Sequence, residues 1–156
     1  MGFNMISKKK VLAIAIVVVA VVAVVAVVGI YFWQSLGASF AEVEDTIKSF
    51  NTALNNYDVD ACWALMSTDL QDSYGTKADF NSSILDGLKQ SEWQALLTSI
   101  SSKSIETRNG VTRARFVVTL QITEAGMGAR GETYTFKLVK IGDQWKIDDW
   151  LVGVWD

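Results

Sequence analysis

The pattern of apolar and polar positions divides the chain into three stretches, each with its own period. From Val11 to Trp33 no residue is charged. A helix over 11–33 would be about 34 Å long, slightly more than a hydrocarbon core of ~30 Å. In the second stretch apolar residues recur every three or four positions. Phe40, Val43, Ile47, Phe50, Leu54 and Tyr57 form one stripe, which predicts an amphipathic helix of roughly four to five turns. Ser39 reads as its N-cap, Glu42 completes a capping box, and Asn55-Asn56 closes the helix. Asp58 caps a second, shorter helix carrying Ala61, Cys62, Leu65 and Met66. Ser67 to Gly75 is polar and reads as a turn-rich connection. Thr76 and Asp79 form another capping box, opening a third helix with Phe80, Ile84 and Leu88 on one face and Gly87 near its end.

After Trp93 the period changes to two. Asn109-Gly110 is a strong two-residue hairpin signal. A strand is expected before it, around Thr98 to Arg108. A second follows it, with Ala114, Phe116, Val118, Leu120 and Ile122 on one face. Ala125 to Gly131 reads as a glycine-containing loop. A third strand carries Tyr134, Phe136 and Leu138, and Gly142-Asp143 turns into a fourth with Trp145 and Ile147. Helices first and an antiparallel meander afterwards predict an α+β domain, about three helices packed on a curved sheet of about four strands.

The apolar run reads as a retained transmembrane helix. Its roughly fifteen Val, Leu, Ile and Phe residues give an insertion free energy on the order of −5 kcal/mol or better. Tyr31, Phe32 and Trp33 stand at one end, where an interfacial aromatic belt belongs, and Lys8, Lys9 and Lys10 at the other. The alternative is a cleaved signal peptide with a processing site at Ser39-Phe40-Ala41, but the run is longer than the ~7–15 apolar residues of such a segment. The expected organisation is therefore a basic cytoplasmic tail at 1–10, a transmembrane helix at 11–33 and a connector at 34–38. An extracytoplasmic domain follows at 39–156. The expected location is a cell membrane crossed once, N-terminus inside.

Composition narrows the chemistry. Net charge is −3, yet Lys8, Lys9 and Lys10 are the only charges before Glu42. Setting them aside leaves eleven basic against seventeen acidic residues, a net of −6. An acidic domain repels phosphate backbones, so no nucleic-acid partner is expected. With one cysteine and no histidine, neither an intrachain disulfide nor a Cys/His zinc site is available, and no cofactor is expected. Cys62 reads as a small buried hydrophobe.

The element order, together with the terminal motif running from Leu138 to Asp148 (LVKIGDQWKID), resembles the NTF2-like, or cystatin-like, α+β superfamily. More narrowly it is similar to small envelope domains of the DUF4878 and lumazine-binding-like kind, which often sit behind a lipoprotein signal or a single transmembrane helix. The resemblance covers roughly Ser39 to Trp155. It implies a cone-shaped cup, a scaffold used elsewhere for enzymes, ligand pockets and protein docking. Enzymes of the superfamily usually transfer protons in the cup, using Asp with His or Tyr.

The absence of histidine removes the commonest general base. Asp149, expected on the side of Ile147 and Leu151, is the remaining carboxylate candidate, and Tyr134 could supply a hydroxyl. Trp63 joins these two as a pocket candidate: with Trp93, Trp145, Trp150 and Trp155 it belongs to a set of tryptophans numerous for a domain this size, and tryptophans can wall a ligand site. Core filling is the commoner use of tryptophan, and it is the favoured reading for Trp145 and for Trp63. Arg113, Arg115 and Arg130 could form a local basic patch, although arginines alternating along a strand usually mark a solvated face. Asn81-Ser82-Ser83 is an N-glycosylation acceptor triplet. The expectation is a membrane-anchored, non-enzymatic protein whose outer domain binds a protein partner or a second copy of itself. A tethered small-ligand binding domain is the alternative, and an acid–base enzyme using Asp149 comes last.

Overall fold

The computed structural model describes residues 39–153, the side chain of Ser102 excepted. The expected membrane segment, its basic tail and Trp155 lie outside the described residues. Among the described residues no helix is long and apolar enough to cross a membrane. From Phe40 onward the described residues belong to one compact unit.

Helix α1 runs through 39–55. It is already helical at Ser39, so that residue is not the N-cap the sequence suggested. The expected stripe is its buried face: Val43, Ile47, Phe50 and Leu54 are in the core. Tyr57 ends the helix with a positive φ of 53°, and the Asp58 N–H reaches back to the Ala53 carbonyl at 2.9 Å. The Tyr57 hydroxyl donates to the Trp93 carbonyl at 2.9 Å, which holds this strained turn in place.

Helix α2 (Val59–Leu65) is capped by Asp58 and buries Cys62. The polar stretch after it is not a turn-rich connection but a helix, α3 (Thr68–Tyr74), with Ser67 as N-cap. The Ser67 hydroxyl accepts the Leu70 N–H at 3.1 Å. Leu70 and Tyr74, four residues apart, supply an inward face too sparse to register as a period. Gly75, at φ 87°, stops the helix in a conformation that a side chain would strain.

The Thr76–Asp79 capping box is present and opens α4 (Lys77–Phe80). The chain then makes a π-helical turn at Asn81–Leu85 before α5 (Asp86–Gln90). The extra residue aligns i with i+5. Phe80 and Leu85 therefore share the core, whereas Ile84 and Leu88 are displaced toward a cavity described below. The single face expected for Phe80, Ile84 and Leu88 is split.

Four antiparallel strands follow in meander order: β1 (Gln94–Arg108), β2 (Val111–Glu124), β3 (Met127–Ile141) and β4 (Gln144–Val152). Asn109 and Gly110 both have positive φ, 51° and 76°, as a hairpin turn matched to strand twist requires. The presumed 125–131 loop reduces to the turn at Ala125-Gly126. Met127 onward is strand, so Arg130 and Glu132 are sheet residues. Thr98 and Ser101 are unpaired on β1, and these two bulges bend the edge strand. The inner sheet face, with Phe116, Val118, Leu120, Ile122, Phe136, Leu138 and Ile147, meets the helices and forms the core.

A bulge at Asp148 decides which way the end of β4 faces. Leu138 pairs with Ile147, but Lys137 pairs with Asp149, leaving Asp148 as the inserted residue. Ser67 secures it: the Ser67 N–H donates to the Ile147 carbonyl at 2.7 Å, and the Ser67 hydroxyl donates to Asp148 Oδ1 at 2.7 Å. Ile147 stays inside, Asp149 moves to the outer face and Trp150 turns inward.

Candidate functional site

Between α1, the π-turn with α5, and the inner sheet face lies a cavity of about 260 Å³. Helix α1 contributes Asn51 and Leu54, and the π-turn region contributes Ile84, Leu88 and Trp93. The sheet contributes Leu120, Tyr134, Phe136, Trp150 and Val152. None of these side chains is charged. One wall is an aromatic cluster. Phe50 meets Trp150 edge-on at 4.9 Å between ring centroids and Phe136 at 6.4 Å. Such pairs favour a fixed geometry beyond their buried area.

The polar group in this wall is Asn51, only 8% exposed. Its Nδ2 donates to the Ala95 carbonyl at 2.9 Å, which fixes the orientation of the amide. Its Oδ1 is buried without a hydrogen-bond partner. A buried acceptor left open costs about 1–3 kcal/mol relative to a satisfied one, so a donor that reached it would be rewarded.

Tyr134 is the second polar feature. Its hydroxyl donates to Glu132 Oε2 at 2.8 Å. Glu132 Oε1 accepts from Arg130 Nε at 2.6 Å, and Arg130 also donates to Glu124 Oε2 at 2.8 Å. The Arg130 guanidinium, followed by the Tyr134 hydroxyl, holds the Glu132 carboxyl below its usual range. Burial, then the hydrogen bond to Glu132, raises the Tyr134 phenol. The hydroxyl thus keeps its proton and is oriented toward the carboxylate.

Of the residues singled out from the sequence, Tyr134, Trp93 and Trp150 line the cavity. Trp63 instead packs against Phe80, its ring centroid 6.2 Å away. Asp149 lies on the outer face, where Lys137 Nζ donates to its Oδ2 at 3.1 Å. The expectation that it shares a side with Ile147 is overturned by the Asp148 bulge. Arg130 belongs to the Glu124–Glu132 network rather than to a patch with Arg113 and Arg115. Trp145 is buried in the core. Cys62 is buried as well, and desolvation, then the nearby Asp58, pushes its thiol up to about 12. It is therefore poorly suited to nucleophilic chemistry. Asn51 and Glu132 were not evident in the sequence. Among the described residues no group of three or more Cys, Asp or Glu side chains is placed to hold a metal ion.

This architecture defines a class: a small α+β cup in which a bent meander sheet wraps a long helix. Solved structures of the same fold bear this out. A protein of unknown function from Mycobacterium tuberculosis superposes with a TM-score of 0.56 at 13% identity, covering 77% of this chain and 73% of that one. An NTF2-like protein of unknown function from Shewanella oneidensis gives 0.54 at 16% identity, covering 73% of this chain and 98% of that one. A candidate dehydratase from the NTF2-like family of Streptomyces avermitilis gives 0.53 at 16% identity, covering 73% and 94% respectively. The fold is the NTF2-like, cystatin-like fold. No protein-family model and no curated protein matches the sequence, so the narrower likeness to DUF4878 and lumazine-binding-like domains has no matching model behind it.

Proposed function

We propose that the cup binds a small, largely apolar, uncharged ligand carrying one hydrogen-bond donor. The observation that carries this reading is Asn51, which lines an aromatic cavity and whose buried Oδ1 has no partner. At about 260 Å³ the volume falls just below that of ordinary ligand pockets, about 300–1,000 Å³, and suits a small ligand. An uncharged ligand fits because no lining side chain is charged and the nearby Glu132 is already engaged by Arg130 and Tyr134. Binding rather than acid–base turnover is supported by Asp149 facing away from the cavity and by Tyr134 holding its proton tightly.

The same proposal places the domain outside a membrane, tethered by the apolar segment 11–33 with Lys8 to Lys10 in the cytoplasm. Its support is the length and charge asymmetry of that segment. Protease added to cells stripped of any outer membrane or wall is expected to remove the domain and spare the N-terminal segment. Complete protection of the domain would refute the topology.

The cavity is tested with full-length protein in detergent. Phenol and indole carry a donor on an aromatic body, and anisole and N-methylindole are their capped counterparts. The uncapped compounds are expected to raise the thermal midpoint, the capped ones are not, and Asn51→Leu is expected to erase the difference. Equal stabilisation by capped and uncapped compounds, or none by any of the four, would overturn the reading.

A further inference from the structure

The outer face of the sheet carries a second groove, of about 340 Å³, lined by Ser104, Glu106, Arg113, Arg115, Lys137 and Asp148 among others. Arg115 sits directly between Ser104 on β1 and Lys137 on β3 in the strand register. Neighbouring strands lie about 5 Å apart, and Arg113, two residues along β2, is about 7 Å from Arg115. Three cations are thus gathered on one patch of a domain that is acidic as a whole. Arg113 faces Glu106 across the β1–β2 pair, an opposite-charge pairing that favours the sheet, but Arg115 faces Lys137 on β3, and like charges directly opposite one another are destabilising.

Two further observations distinguish the patch from a solvated face. Lys137 is neutralised by Asp149, whereas Arg113 and Arg115 form no ion pair among the described residues. Moreover, the Nε–H of the half-buried Arg115 is enclosed without an acceptor. A buried guanidinium N–H calls for an oxyanion in line with it, and a planar carboxylate matches the guanidinium fork.

We infer that this groove is a carboxylate site, with Arg115 supplying the buried donor and Arg113 the second charge. The choice of a singly charged carboxylate over phosphate follows from the other lining groups. Glu106 and Asp148 share the groove and would repel a dianion. A free small acid and a peptide chain terminus both present this carboxylate, so the recognising chemistry is the same. The site faces away from the aromatic cup and does not depend on its occupancy.

The test uses full-length protein in detergent at constant ionic strength, with thermal midpoint as the readout. Acetate, N-acetylglycine, N-acetylglycinamide and inorganic phosphate are titrated in parallel. N-acetylglycine is expected to stabilise saturably while its neutral amide does not. Stabilisation by acetate as well points to small acids, and stabilisation by N-acetylglycine alone points to a chain terminus; either supports the site. Arg115→Gln is expected to weaken the apparent affinity about tenfold or more, as loss of a charge-assisted pair should. Should Arg115→Gln fail to fold, the exposed Arg113→Gln reports in its place with a loss in the same direction. Equal response to acid and amide, unchanged affinity in a folded variant, or tighter binding of phosphate than of either carboxylate would overturn the assignment.

Discussion

Replacing Asn51 by leucine separates the demands of binding from those of folding. The substitution keeps side-chain volume and removes two polar groups with opposite energetic weights. Its Nδ2 hydrogen bond to the Ala95 carbonyl is lost, at a typical net cost of about 1 kcal/mol. That carbonyl is not orphaned, because Asn55 Nδ2 donates to it at 2.8 Å. The buried Oδ1 without a partner disappears at the same time, which relieves about 1–3 kcal/mol where solvent does not reach it. The balance is a variant between neutral and about 2 kcal/mol more stable than the parent in the absence of ligand. For a domain of this size about 1 kcal/mol corresponds to a rise of roughly 4 °C in the thermal midpoint. Urea unfolding of the full-length protein, followed by tryptophan fluorescence, should show a higher midpoint with an unchanged slope. A destabilisation exceeding about 1 kcal/mol would refute the reasoning. It would mean that Oδ1 is well satisfied in the free protein and that the cavity holds no unmet acceptor.

Acid should expose the rim network. Glu132 titrates below its ordinary value of 4.5 because Arg130 and then Tyr134 favour its charged form. A depressed folded-state value stabilises the fold above pH 4.5 and loses that contribution as pH falls through the lowered value. Urea midpoints should therefore drop more steeply below pH 4.5 in the parent than in Glu132→Gln, and parallel acid limbs would remove Glu132 from the account. Phe50→Ala should cost about 3–5 kcal/mol, because Phe50 is fully buried and touches both Phe136 and Trp150. A loss below about 1 kcal/mol in urea titration would show that this aromatic packing does not support the cup.

Much of this fold can be read from local sequence because the governing interactions are local. The α1 stripe, the Thr76–Asp79 box and the Asn109-Gly110 turn each lie within a few residues, and each is where the pattern puts it. The features that shape the site depend on distant partners. Asp148 is an inserted residue only because Ser67, on another element, holds it. With Trp150 and Leu151 both apolar, the sequence reads equally well in either register, so Asp149 is assigned to the wrong face. The π-turn at Asn81–Leu85 carries no marker residue and divides one apparent stripe into core and cavity walls. Asn51 is a polar residue at the margin of an apolar face, and its meaning rests on Ala95, forty-four positions away. Glu132 and Arg130 are hidden inside a glycine-rich stretch that resembles a loop.

The side chain of Asn55 has a consequence for how these molecules meet one another. It accepts the Ala95 N–H at 2.8 Å and donates to the Ala95 carbonyl at 2.8 Å. That double exchange is what a residue on an adjoining antiparallel strand provides. β1 is an edge strand, and Leu96 beside Ala95 is 68% exposed. An open edge next to an exposed leucine is a natural place for sheets of separate molecules to join. Here the rung is already filled by a helix side chain acting as a one-residue fifth strand. A chain approaching that edge must first lift α1 away from the sheet, so the helix that builds the cup also keeps neighbouring copies from zipping together there.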